Sequence, residues 1–145
     1  MNRSRRGSAL SEFALWVPVM LLMVSGLIDL SWLMHRYQNV TRAAHDSARV
    51  GAATVENVGD CLGVNMIPAA EAHGTSLLTT MGISCAGGCT VTATADDSGP
   101  VNTLSVEIDV PFDHLFGLFE FGTTLGATFT HPADYQNSSS TNCGP

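Results

Sequence analysis

At 145 residues the chain has room for one modest domain, yet 45% of it is hydrophobic and only 13% charged, a skew that points to contact with lipid. Thirteen acids against six basic residues give a formal net charge of -7, and no lysine or arginine follows Arg49. A body so uniformly anionic repels phosphate backbones, which excludes nucleic-acid binding.

The chain opens on a short basic stretch, with Arg3, Arg5 and Arg6 and no acid before Glu12. From Phe13 to Met34 it then reads FALWVPVMLLMVSGLIDLSWLM, with Asp29 its one ionisable residue. That is long enough to cross a hydrocarbon core of roughly 30 Å as a helix. Three arginines before the span outweigh Arg36 beyond it, so the N-terminus is expected in the cytoplasm and everything after about His35 outside. Pro18 within the span is expected to kink or locally open the helix, with Ser25 or neighbouring helices satisfying the freed carbonyl. Asp29 reads equally as a residue that pairs with another subunit's helix and as one hydrated near the outer interface.

No proline falls between Leu33 and Val55, and the helix is expected to continue outward, a run from about Ser11 to Thr54 of roughly 65 Å at 1.5 Å per residue. Leu33, Tyr37, Val40, Ala44, Ala48, Gly51 and Val55 recur at three- and four-residue spacing, whereas His35, Arg36, Asn39, Arg42, Asp46 and Arg49 fall on other faces. Such a stripe needs a partner to pack against.

Beyond a turn-rich stretch from Asn57 to Gly63, Ala69 to Met81 reads as a shorter helix, with Pro68 near its first turn and Gly82 as its stop. The period then changes. Residues 90–95 and 103–110 alternate as half-buried strands around a hairpin loop at 96–100, and 124–130 forms a third strand. Between them, Phe112, Leu115, Phe116, Leu118, Phe119 and Phe121 are too apolar for a free loop and are expected to plug the gap between sheet and helix. The fold is therefore α+β: a long N-terminal helix over 8–56, half in the membrane (13–34), and a head over 57–145 with one short helix and a three-stranded antiparallel sheet.

A head this small usually needs a staple. Cys61, Cys85, Cys89 and Cys143 all lie beyond the span, an even number on the oxidising side, and two disulfides are expected. Three pairings are open, of which Cys61 with Cys85 and Cys89 with Cys143 is preferred; Cys143 would tie down the polar tail from Asn137. Zinc is disfavoured, since the CxxxC of Cys85 and Cys89 has no histidines at ligand spacing.

The motif with functional content is Arg5-Arg6-Gly7-Ser8-Ala9-Leu10-Ser11-Glu12-Phe13, in which a glycine stands five residues before a glutamate and the apolar run follows at once. A secretory signal peptide is cut after its apolar segment, whereas a cut between Gly7 and Ser8 would leave that segment in the mature protein. The arrangement resembles a type IV prepilin cleavage site, with residues 1–7 as the leader. The arginine-rich leader, Glu12-Phe13, Pro18, Gly26-Leu-Ile-Asp29 and the Asn39 to Ala53 segment resemble the TadE-like minor pilins in particular, and Val110-Pro-Phe with Leu115-Phe116 resembles their strand-to-loop segment.

That resemblance implies a minor pilin or pseudopilin of a Tad (tight adherence) pilus. It would be cut by a prepilin peptidase, joined to other pilin subunits through the N-terminal helix, and added at an inner-membrane assembly platform, for adherence or cell contact. In related pilins the glutamate at the place of Glu12 is thought to pair with the α-amine freed by cleavage, here on Ser8; Phe13 and Asp29 would also serve assembly. A carboxylate at the start of a span persists where it finds such a partner, although Glu12 could also rest among headgroups as a helix-start acid.

Enzymatic activity is not expected. His35, His45, His73, His114 and His131 form no catalytic spacing, and HExxH, GxSxG and phosphate-loop motifs are absent from the sequence. No cofactor is implied. A calcium site at Asp96 and Asp97 is chemically conceivable, but adjacent aspartates in a hairpin are more often simply solvated. The rival reading is a single-span envelope adaptor or binding protein that keeps its leader.

Overall fold

The computed structural model describes residues 5–54, 64–83, 85, 88–96, 98, 101–112 and 124–133. Its elements follow the order α1 (Arg5–Ala52), α2 (Met66–Thr80), β1 (Thr90–Asp96), β2 (Thr103–Pro111) and β3 (Thr124–Pro132), the α+β arrangement read from the sequence. Contacts divide the chain between His35 and Arg36, so that the apolar half of α1 belongs to one unit and its outer half, with α2 and the sheet, to the other.

In the first unit α1 is one unbroken helix with Pro18 inside it. The Ser25 hydroxyl does not serve the carbonyl that Pro18 frees. It donates instead to the carbonyls of Leu21 (2.9 Å) and Leu22 (3.1 Å), the three- and four-residue reach open to a serine in a helix. The helix also begins at Arg5, earlier than the periodicity alone marked, so the Gly7–Ser8 bond lies within its backbone.

In the second unit the sheet runs β1-β2-β3, antiparallel throughout, with Glu107 opposite Thr92 on one side and Thr128 on the other. Alternation decides its faces: Leu104, Val106, Ile108 and Val110 of β2 are buried, while the intervening residues turn toward solvent. The buried side is covered by the outer half of α1, through Val40, Ala43, Ala44, Ser47, Ala48 and Ala52, and by α2, through Met66, Ala70 and Leu78. Small residues dominate the α1 face because two helices and a sheet meet there at short range.

Helix α2 starts three residues earlier than expected, with Asn65 at its N-cap position and Pro68 inside the first turn, where the missing N–H costs nothing. Its end is as the glycine suggested. Gly82 takes φ +71°, its N–H reaches the Thr79 carbonyl (3.1 Å), and the Ile83 N–H reaches the Leu78 carbonyl (3.0 Å). This is the Schellman pattern, completed by burial of both Ile83 and Leu78.

The exposed edge of β1 is capped from α2, where a Glu71 carboxylate oxygen accepts the Ala93 N–H at 3.2 Å. Of the apolar plug segment, Phe112 is buried; Leu115, Phe116, Leu118, Phe119 and Phe121 lie outside the described residues, as does the tail from Asp134.

Candidate functional site

The functional residues read from the sequence lie mainly along α1. Phe13, Leu15, Trp16, Met20, Leu21, Leu22, Met23 and Leu27 are all exposed, on every side of the helix. An all-round apolar surface is what lipid or neighbouring helices cover, and this helix is long and apolar enough to cross a membrane. Phe13, Trp16, Val17, Met20, Leu21 and Val24 line one shallow apolar groove of about 420 Å³ along it.

Gly7 and Ser8 sit on helical backbone. Glu12 is exposed and stands two turns into α1, whose first turn contains no acid. In the uncleaved helix it is therefore too deep for the macrodipole to favour, since that effect fades within the first turn. Removal of residues 1–7 would make Glu12 the fifth residue of the helix and bring a cationic α-amine one turn from it.

Asp29 is the exception on this surface. It is only 5% exposed, whereas Leu27, Ile28 and Leu30 around it are open. Ser25, Gly26, Trp32, Leu33 and Arg36 are partly covered, and with Asp29 they form one face at three- and four-residue spacing. Burial sets Asp29 apart from the open apolar residues beside it.

Beyond the span, Val40, Ala44, Ala48 and Gly51 of the expected stripe are buried, but Tyr37 is 46% exposed and Val55 lies outside the described residues. The stripe is wider than the one read from the sequence. It includes Ala43, Ala52 and Ser47, whose hydroxyl folds back onto the Ala43 carbonyl at 2.6 Å and so enters the core without an open donor. Ser47 faces Gly74 of α2: a Cβ on that glycine would stand 3.0 Å from the Ser47 Oγ and 2.9 Å from the Val91 Cγ1. His45 lies at the margin of the stripe, its ring edge-on to Phe129 of β3 at 4.4 Å and its Nδ1 3.3 Å from Asp46.

The cysteine pairing preferred from sequence is corrected. Cys85 is bonded to Cys89, with Cα atoms 4.9 Å apart. A tight turn brings them together: the Gly88 N–H bonds the Cys85 carbonyl at 3.1 Å, and Gly88 takes φ +97°, which a side chain would resist. Cys61 and Cys143 lie outside the described residues.

At the hairpin, Asp97 also lies outside them, and Asp96 is already engaged, its Oδ1 accepting the Ser98 N–H at 2.9 Å. The Ser98 hydroxyl, then that N–H, holds the Asp96 carboxyl below its ordinary pKa. Among the described residues, no three His, Cys, Asp or Glu side chains gather as a metal site would require.

The described residues form a long helix, long and apolar enough to cross a membrane, and a small α+β unit that its outer half joins. The TadE family model, described as TadE-like protein, matches residues 7–49, from the glycine of the motif to the last basic residue of the chain. The family that the leader motif resembles is thus the family whose model matches over these residues. No curated protein and no solved structure matches the chain.

Proposed function

We propose that the chain is a minor pilin or pseudopilin of a Tad-type pilus, a structural or assembly subunit rather than an enzyme. In this reading a prepilin peptidase cuts between Gly7 and Ser8, and the span stays in the bacterial inner membrane with the head outside. The processed helix then joins other pilin subunits at the assembly platform, and the filament serves adherence or cell contact. One observation carries the proposal: the TadE-like match coincides with a single continuous helix that begins before Gly7, exposes its apolar side chains on all sides, and ends packed in a folded head.

Glu12 acquires a role in this scheme that it lacks in the uncut chain. Cleavage would place an amine at Ser8, and the carboxylate of an incoming subunit, costly in lipid by itself, would be neutralised by the amine of its neighbour. The match between the two would set how far each helix advances along the next.

Mass spectrometry of the native N-terminus, in membrane and sheared-filament fractions, tests this directly. The expected mature chain starts at Ser8, loss of the peptidase restores Met1 to Gly7, and Gly7→Ala blocks or slows the cut. Recovery of only the full-length chain from cells with an active peptidase refutes it and favours the envelope adaptor that keeps its leader.

A further inference from the structure

The second unit carries opposite charge on opposite sides. In α1 the buried face centres on Val40, Ser47 and Gly51, and at 100° per residue Arg42 and Arg49 point almost directly away from it. Both are exposed, two turns apart, and neither makes an ion pair among the described residues. Asp46 between them lies beside His45, at 3.3 Å.

On the other side, the solvent face of the sheet offers Glu107 and Asp109 from its central strand. The strands beside them contribute no cation: Thr92 and Thr128 flank Glu107, and Thr90 and Gly126 flank Asp109. Asp109 lies across the glycine, its Oδ1 2.6 Å from where a Gly126 Cβ would be, so the carboxylate rests on a surface cleared for it.

The two patches are also level with each other. His45, between the two arginines, touches Phe129, and Phe129 is paired in the sheet with Val106, next to Glu107. Two copies standing side by side in one membrane therefore bring the arginines of one to the carboxylates of the other.

We propose that the Arg42 and Arg49 face of α1 docks against the Glu107 and Asp109 face of a second copy of this chain. The contact is heterologous, because each copy uses a different patch, and both patches remain free at the two ends of a pair, so it can propagate as a filament requires. It deepens the subunit reading above and rests on it only for the placing of copies in one membrane. Like patches repel, which disfavours the symmetric pairings and fixes the direction of growth.

The test uses the full chain in native membranes, with a photo-crosslinking residue in place of Thr128. The expected adduct joins two copies and maps to residues 38–50 of the second. Arg42→Glu with Arg49→Glu, or Glu107→Lys with Asp109→Asn, should each lower its yield by roughly three- to tenfold, the scale of two exposed ion pairs. Co-expressing the two reversed variants should restore the adduct, from the sheet of the second variant to the helix of the first; that rescue requires both to be folded.

An adduct indifferent to charge reversal, failure of the mixture to restore it, or capture of lipid or another protein in place of a second copy overturns the proposal. The N-terminus read from the same samples separates the two claims. A retained leader with the charge-dependent adduct intact supports the docking and refutes the processed pilin, whereas a mature N-terminus without the adduct overturns the docking alone.

Discussion

Gly51 of α1 lies so close to Ala70 of α2 that a Cβ on the glycine would stand 2.7 Å from the Ala70 Cβ and 3.1 Å from the Met66 carbonyl oxygen. A backbone oxygen and a methyl fixed on a helix cannot withdraw as a long side chain could. Gly51→Val should therefore force the outer half of α1 away from α2 and the sheet, at a cost of about 1 to 3 kcal/mol. A lower melting temperature and faster proteolysis of the head, with the apolar half of α1 retained, are the expected readouts.

The same close approach explains Gly74, which sits mid-helix where alanine would ordinarily stabilise by about 1 kcal/mol. Here Gly74→Ala should destabilise instead, since its Cβ would meet the Val91 Cγ1 at 2.9 Å and the Ser47 Oγ at 3.0 Å. Ser47→Ala removes one of those obstacles, along with a hydroxyl bonded only to its own helix. The two substitutions should be coupled, the pair costing less than the sum of the singles, and chemical denaturation of all three variants measures that difference.

Much of this architecture is legible in the sequence because it depends on local signals. The period-two runs from Thr90 and Thr103 became strands within a residue of where they were read, and Gly82 closed α2 through the left-handed turn that glycine favours. What was not legible depends on partners distant in the chain. Nothing near Ser47 announces a buried serine, since its burial follows from the packing of Gly74, and nothing near Glu71 shows that it caps Ala93. The sequence leaves three cysteine pairings open, and only the turn at Gly88 shows the short closure from Cys85 to Cys89.

That short closure sets its worth. A disulfide between Cys85 and Cys89 restricts only a few residues of the unfolded chain, and loop entropy then gives about 2 kcal/mol, at the low end of the usual range. Cys85→Ser with Cys89→Ser should lower stability by that amount while β1 remains paired to β2. Non-reducing mass mapping should find the bond inside a single peptide; a peptide linking Cys85 to Cys61 or Cys143 would contradict it.

The hairpin should respond to acid through Asp96. Its folded pKa is depressed, chiefly by the Ser98 hydroxyl and then by the Ser98 N–H, so the folded chain binds this proton less readily than the unfolded chain does. The resulting stabilisation is present above the ordinary aspartate pKa and is lost as pH falls through the lowered folded value. Because Asp96 is fully exposed, the effect belongs to the loop rather than to global stability. Carboxyl NMR titration should place Asp96 below the usual value, and Ser98→Ala should move it back toward that value while leaving the backbone contribution.

Glu12 gives the sharpest separation between a subunit that is merely processed and one whose carboxylate guides assembly. It is exposed on a helix with no acid in its first turn, so neither a buried partner nor the macrodipole accounts for it in the uncut chain. Glu12→Gln keeps the size and the hydrogen-bonding oxygen but removes the charge that would meet the Ser8 amine. Cleavage should continue, the variant should accumulate in the membrane at normal levels, and its incorporation into sheared filaments or the assembly complex should fall at least tenfold, the loss expected when a charge pair worth about 1.4 kcal/mol or more is removed from a low-dielectric setting. Normal incorporation of Glu12→Gln would remove the pairing role while leaving the proposed cleavage between Gly7 and Ser8 untouched, since in that scheme the cut precedes any contact with a neighbour.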